Sequence, residues 1–425
     1  MTKKFFLTTV IGSLLLIALP FMGFGSRWIL DFEDNMLPVD LEVEIHNAGG
    51  TLIDTFDVLG IAVADFSKRE DAEAVQADGF EAIPDLLLNW LANDSIPEGG
   101  HIGLNEDYYD RQWHLPVIQA DRAWSEGVTG AGVRVAVVDT GIWYYHPDLY
   151  PNIDFSSGAS FVPGMPDFLD DNGHGTHVAG IIAAADNGWG VIGIAPNATL
   201  IGVKVLAGDG TGHLSWIVAG IAHAVEQNAD IINLSMGYHL KKNGDSPYYT
   251  ASDASRIRKV VRKVINWAAS QGVLVVNSAG NDGKSLDQDG NIISIPTEEG
   301  NGIVVSATGP CMLENFDTIA SYTNYGSSLI WVSAPGGDFR DYPNSGWWND
   351  MVFSTTINGW MWAAGTSAAA SMVSATAALV LEKYGPMPLG QLKNHLANTA
   401  DDLGDPGHDP YYGRGRINAL KAVTQ

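Results

Sequence analysis

Val133-Arg134-Val135-Ala136-Val137-Val138-Asp139-Thr140-Gly141 is a run of small and β-branched apolar residues that stops at an Asp-Thr-Gly turn. It has the composition of a strand covered on both faces, interrupted only by Arg134 near its start. Similar runs occur at 200–206, 230–236, 273–278 and 303–307. Between them, 214–227 and 252–271 carry apolar residues at helical spacing, for example Ile257, Val260, Val261, Val264 and Ile265. Strands alternating with helices of this length predict a doubly wound, mostly parallel α/β sheet with helices on both faces. In such sheets ligands bind where strands end, so chemistry is expected just after Asp139 and its counterparts.

The rest of the chain narrows the options. Its 425 residues are 46% hydrophobic, enough for one large domain and a smaller one. A net charge of -26, from 23 basic and 49 acidic residues, repels phosphate backbones and excludes nucleic acid as a partner. Such acidity suits a well-solvated surface, adaptation to salt or cation binding alike. Cys311 is the only cysteine, so neither an intramolecular disulfide nor a multi-thiolate zinc site can form. Residues 1–27 read as an export signal: Lys3 and Lys4, an uncharged apolar run over 5–24, then Asp31, Glu33 and Asp34. The remainder is expected outside the cell or in a periplasm. Cleavage near Gly23-Phe24-Gly25 is preferred to an uncleaved membrane anchor, which the run is long enough to form.

Residues 28–108 form a separate unit. Leu41, Val43 and Ile45 alternate with acids as in a half-buried strand, and Gly49-Gly50 make a turn. Further apolar stretches at 61–64 and 80–83 flank a helix over 69–77, which predicts a small α+β domain. Its tail, 93–106, is rich in Gly, Pro, Asn and acids and reads as an exposed linker open to proteolysis. The main domain then occupies 109–425.

Four segments carry the chemistry. Asp139 delivers a carboxylate to the end of a strand; aspartic proteases also use Asp-Thr-Gly, but they need a second such carboxylate and none occurs. Asp171-Asn172-Gly173-His174-Gly175-Thr176-His177 opens a helix with two histidines three apart, whereas the helical zinc signature spaces them by four with an intervening glutamate. His174, with glycine on both sides, reads as an accessible imidazole, and His177 as a structural one. Ser278-Ala279-Gly280-Asn281-Asp282-Gly283 places an amide after a strand, or is a plain turn. The adjoining Gly283-Lys284-Ser285 is no phosphate loop, because Ser278 stands where the first glycine belongs. Gly365-Thr366-Ser367 opens an alanine-rich helix, where a serine is either a cap or a nucleophile beside backbone N–H donors. Hydroxyl, imidazole, carboxylate and oxyanion donors are the full set for acyl transfer.

Their order, Asp then His then Ser, is that of subtilisin. With VAVVDTGI, HPDL, DDNGHGTHVAG, IAPNATLIGVKVL, GDGTGHLSWI, IINLSMG, SAGNDG, SYTNYGS and GTSAAA, the chain resembles the subtilisin-like serine protease family over about 109–425. The acidic segment before it resembles, more loosely, that family's propeptide, a folding chaperone and inhibitor cut away by the enzyme itself. The resemblance implies an exported, self-processing serine endopeptidase, expected to be monomeric and to act on protein or peptide substrates. Ser367 becomes the nucleophile, His174 the general base and acid, Asp139 the group orienting it, and Asn281 with the Ser367 N–H the oxyanion hole. An imidazole titrating near about 6.5 implies activity on the alkaline side. Substrate is expected as an added strand between Gly210-Thr211-Gly212 and Ser235-Met236-Gly237, alongside Ser278, Ala279 and Gly280, giving broad taste. Met236 is expected in the pocket wall, and no acid is visible there to select Lys or Arg. Structural calcium is implied at Asp148, Ala185, Asn187, Trp189 and Val191, with a further ligand near Glu106, Asp107 or Gln112. The family's usual Met-Ala-Ser/Thr-Pro-His after the nucleophile is Ala368-Ala369-Ala370-Ser371-Met372 here, which restores a backbone donor and straightens the helix. The stretch 338–349, with Trp347 and Trp348, reads as an added surface loop. Two competing readings remain at this point: a catalytically silent exported binding protein on the same fold, and a processing protease of narrow specificity.

Overall fold

The computed structural model describes residues 26–77, 79–91, 101–102, 108–288 and 290–425. The signal segment up to residue 25, most of the 93–106 linker, and Glu106 and Asp107 lie outside the described residues. No described helix is long and apolar enough to cross a membrane.

The strand Arg134–Asp139 is an interior strand of a seven-stranded sheet, next to the middle one. From one edge to the other run Ile330–Pro335, Ile303–Thr308, Leu274–Ser278, Ile231–Leu234, Arg134–Asp139, Thr199–Lys204 and Ala159–Ser160, all parallel. The chain steps outward to one side of Arg134–Asp139 and then crosses to the other, so the strand order reverses there, and the crevice at such a reversal is where sheets of this kind bind ligands. Asp139 ends that strand.

Alternation along each strand builds two cores. Val135 and Val137 face the helices His174–Ala183 and Thr366–Tyr384, while Ala136 and Val138 face Leu214–Glu226 and Ala251–Ser270. The helix Thr366–Tyr384 is buried at every residue from Thr366 to Val380. Its Ala, Ser and Thr side chains let neighbouring backbones approach closely. Contrary to the expected surface loop, residues 338–349 are partly interior: Asp338 is fully buried and Trp347 joins the main core, because the Asp338 carboxylate binds the Ser321 N–H and hydroxyl.

The N-terminal unit is a four-stranded antiparallel sheet, ordered Thr51–Phe56, Ile61–Asp65, Arg27–Phe32, Phe80–Pro84. Three of its elements differ from expectation. Leu41–Asn47 is a helix, not a strand: Leu41 and Ile45, four apart, are buried and Val43 is exposed, so the interval of four prevails over the interval of two. The first strand begins at Arg27, within the stretch assigned to the signal. The second helix, Arg69–Glu73, is shorter than expected. One sheet face, Ile29, Val63 and Ile83, packs into the core that holds Leu214–Glu226 and Ala251–Ser270. Charged contacts ring this junction: Arg69 with Asp253, Lys263 with Asp31, and Lys259 with Glu81. Asp85 accepts from the Ser215 N–H (2.8 Å) and hydroxyl (2.6 Å), so it caps a helix whose own N-cap, His213, does not.

Two histidines are enclosed in the main core. Burial, with a lesser contribution from a neighbouring histidine, lowers His114 to about 3 and His177 to about 4. Both are therefore neutral when folded at neutral pH, whereas the unfolded chain takes up protons near 6.5. Stability contributed by the neutral rings is present above about 6.5 and lost as pH falls toward the folded values. In a Ser367→Ala background, His114→Leu should lessen the fall in unfolding free energy between pH 6 and 5 by about 1.4 kcal/mol per pH unit, one proton's worth. Urea denaturation at several pH values measures that slope.

Candidate active site

Asp139 is fully buried, and its Oδ1 lies 2.7 Å from His174 Nδ1 while accepting the Thr140 N–H, also at 2.7 Å. A carboxylate only accepts, so the proton is on Nδ1 and leaves the far nitrogen, Nε2, available as a base. The glycines beside His174 have a structural cause. A Cβ on Gly175 would lie 2.1 Å from the Gly141 carbonyl, and Gly173 has φ +108° at the helix start. Asp170 holds that start, accepting from the N–H groups of Asn172, Gly173 and Thr176. Lys204, missed in the sequence, is buried beneath both loops; its ammonium donates to Thr140 O (2.6 Å), Leu206 O (2.9 Å) and Asp171 Oδ1 (2.6 Å). The signal was a charge at the end of an otherwise apolar strand.

Ser367 sits in the first turn of Thr366–Tyr384, and its hydroxyl donates to the Ser235 carbonyl at 3.2 Å. Asn281 lies beside it. The Asn281 Oδ1 accepts from the Thr366 N–H (2.9 Å) and hydroxyl (2.8 Å), and Thr366 Oγ1 accepts the Gly280 N–H (3.0 Å). Two donors on one side fix that atom as oxygen, so the amide NH₂ is directed the other way. Ser367 and Asn281 line one cavity with Ser235, Met236, Gly237, Ser278, Ala279 and Gly280. The helix runs unbroken past Ser371, whose hydroxyl donates to the Ser367 carbonyl at 2.8 Å. One element thus carries the hydroxyl, and two strand ends carry the carboxylate and the amide.

The Subtilase family pattern matches residues 130–415. The chain belongs to the subtilase family. It is 39% identical over 312 residues to subtilisin BL from Lederbergia lenta, covering 73% of this chain and 98% of that protein. An alkaline protease from Alkalihalobacillus alcalophilus is 39% identical over 373 residues, 85% of each chain, so the likeness reaches into the N-terminal unit. A solved lanthipeptide protease matches with TM-score 0.64 and 28% identity over 74% of this chain and 95% of that one. Subtilases are serine endopeptidases, and so is this chain; its substrates are proteins or peptides.

In this subtilase the tail of the N-terminal unit lies along the cavity. Leu87–Asn89 pairs antiparallel with Thr211–His213, Trp90 N–H donates to Gly210 O (3.1 Å), and Gly237 N–H donates to Trp90 O (3.1 Å). The Trp90 indole also donates to Gly212 O (2.9 Å). The strand positions expected for substrate, Gly210, Thr211, Gly212 and Gly237, are therefore engaged by backbone. Met236 lines the wall as expected. The absence of an acid is corrected: Asp282 lines the cavity, where it is bound to His239 and Asn324.

The residues expected to bind calcium do not fit an ion. The Asp148 carboxylate already accepts from Asn187 Nδ2 (2.9 Å), Val191 N–H (3.0 Å) and the Trp360 indole (2.8 Å). Asn187 Oδ1 accepts the Trp189 N–H at 3.1 Å, so the amide turns donors, not oxygen, toward Asp148. The Ala185 N–H donates to the Asp148 carbonyl. The Gln112 amide pairs with both backbone groups of Ile192. An oxygen cage of the kind calcium takes is not assembled by these side chains.

Two outcomes follow from this geometry. Asn281→Leu should lower kcat by about 10²–10³ with KM little changed, the loss known for removing such a donor from subtilisin, measured on a peptide anilide. Asn187→Ala should leave the response of Tm to excess EDTA as in wild type, by scanning calorimetry, because these side chains hold no ion for a chelator to remove.

Proposed function

We propose that the chain is an exported serine endopeptidase made as a self-processing precursor, cleaving peptide bonds through an acyl-enzyme on Ser367. Ser367 Oγ attacks the scissile carbonyl while His174 Nε2 takes its proton, and the carbonyl π electrons become an oxyanion. The Asn281 NH₂ and the Ser367 N–H receive that oxyanion. The imidazolium, steadied by Asp139, returns the proton to the leaving amine as the C–N bond breaks. Water, deprotonated by the same ring, then releases the acid and restores Ser367.

The observation that carries the precursor reading is the Leu87–Trp90 strand, which makes with Gly210–Gly212 and Gly237 the backbone bonds a substrate would make. A segment held this way inhibits until it is cut and leaves. Export rests on the charge pattern of residues 1–27. A narrower processing role is favoured by the likeness to a lanthipeptide protease.

The wild-type precursor should shorten to an N-terminus between 93 and 112, and Ser367→Ala should stay full length, as read by intact-mass spectrometry. A fluorophosphonate probe should label matured wild type and not Ser367→Ala. Shortening of purified Ser367→Ala would contradict self-processing.

A further inference from the structure

The cavity beside Ser367 and Asn281 has a histidine in its wall. Its walls are Ser235–His239 on one side and Ser278–Asp282 on the other, with Ser294 and Thr297 between them. Trp90 of the N-terminal segment lines it too, and with that segment in place a water-sized molecule finds about 30 Å³. His239 belongs to the wall that stays. It stands directly opposite Ser294 in the antiparallel pairing of Tyr238–Lys241 with Ile292–Ile295, so the two side chains share a face. His239 Nδ1 and Ser294 Oγ are 2.9 Å apart, and Nε2 forms a close ion-pair contact with Asp282. The imidazole is therefore strapped between two residues that both line the cavity. Each strap is itself held. Asp282 Oδ2 accepts from Asn324 Nδ2 (3.2 Å), the Asp282 N–H donates to Asn324 Oδ1 (3.1 Å), and the Ser294 N–H donates to Glu298 (2.6 Å). Trp90 also borders the cavity, but these bonds all lie within residues 239–324, so release of the N-terminal segment leaves the ring in place.

We propose that His239 is a specificity-determining residue: paired with Asp282, it masks that carboxylate from Lys and Arg side chains on the acyl side of the cleaved bond. This rests on Ser367 being the nucleophile. A cationic side chain reaches Asp282 only if the ring leaves it. Among the described residues Asp282 is the one carboxylate in the wall, and its pairing with His239 and Asn324 removes it as an anchor for such a side chain.

The test uses the matured enzyme, quantified with a fluorophosphonate probe, and peptide anilides that differ only at the residue before the cleaved bond. Wild type should cleave the Ala substrate with kcat/KM at least tenfold above that with Lys. In His239→Ala, the Lys/Ala ratio should rise at least tenfold. His239→Gln, whose amide can both donate to Asp282 and accept from Ser294, should stay near the wild-type ranking. A wild type that takes Lys as readily as Ala overturns the proposal without recourse to any variant. Labelled His239→Ala with an unchanged ratio overturns it too. A wild type that the probe does not label overturns the catalytic reading, and this one with it.

Discussion

The burial of the helix Thr366–Tyr384 between the sheet and the helix His174–Ala183 is the constraint on which the site depends. A helix enclosed on all sides needs small side chains, and this one has Ala at 368, 369, 370, 375, 377 and 378. It also buries Ser and Thr, whose hydroxyls must be satisfied without water. Ser371 and Thr376 donate to carbonyls one turn back, and Ser374 donates to Asn233 on a central strand. Those bonds tie the helix to the sheet and fix the height of its first turn. Ser367 is therefore held beside Ser235 and the Asn281 strand end with little freedom to move.

Everything nearer the chemistry is arranged around that first turn. Thr366, its first residue, orients the Asn281 amide, and Ser235 exchanges hydrogen bonds with Ser367 in both directions. On the other side Lys204 and Asp170 brace the loops that bear Asp139 and His174. The N-terminal unit uses the opposite face, seating an apolar sheet on two helices and closing the rim with ion pairs. Asp31 and Asp253 are buried, so desolvation offsets much of what their pairs with Lys263 and Arg69 gain, and the more exposed Lys259–Glu81 pair contributes little. The fit of Ile29, Val63 and Ile83 therefore matters more to docking than the charges do.

Several features escaped the sequence because they are contacts between distant residues. Leu41, Val43 and Ile45 fit a strand and a helix equally in isolation; which of them is buried depended on the sheet beneath. The oxygen-bearing side chains Asp148 and Asn187 have the composition of an ion site, yet Trp360, more than two hundred residues from Asp148, supplies an indole donor that changes what the carboxylate binds. Asp282 was in plain view, but its pairing with His239 was not.

The chain's own pattern determined the parallel α/β sheet, the burial of its strands and the positions of Asp139, His174, Asn281 and Ser367, because strand periodicity and glycine-flanked turns are local properties. Tertiary structure alone decided which nitrogen of His174 faces Asp139, which way the Asn281 amide points, and how much space remains beside Ser367. Those depend on hydrogen bonds and volumes shared between segments far apart in the chain, and no local pattern encodes a distance of that kind.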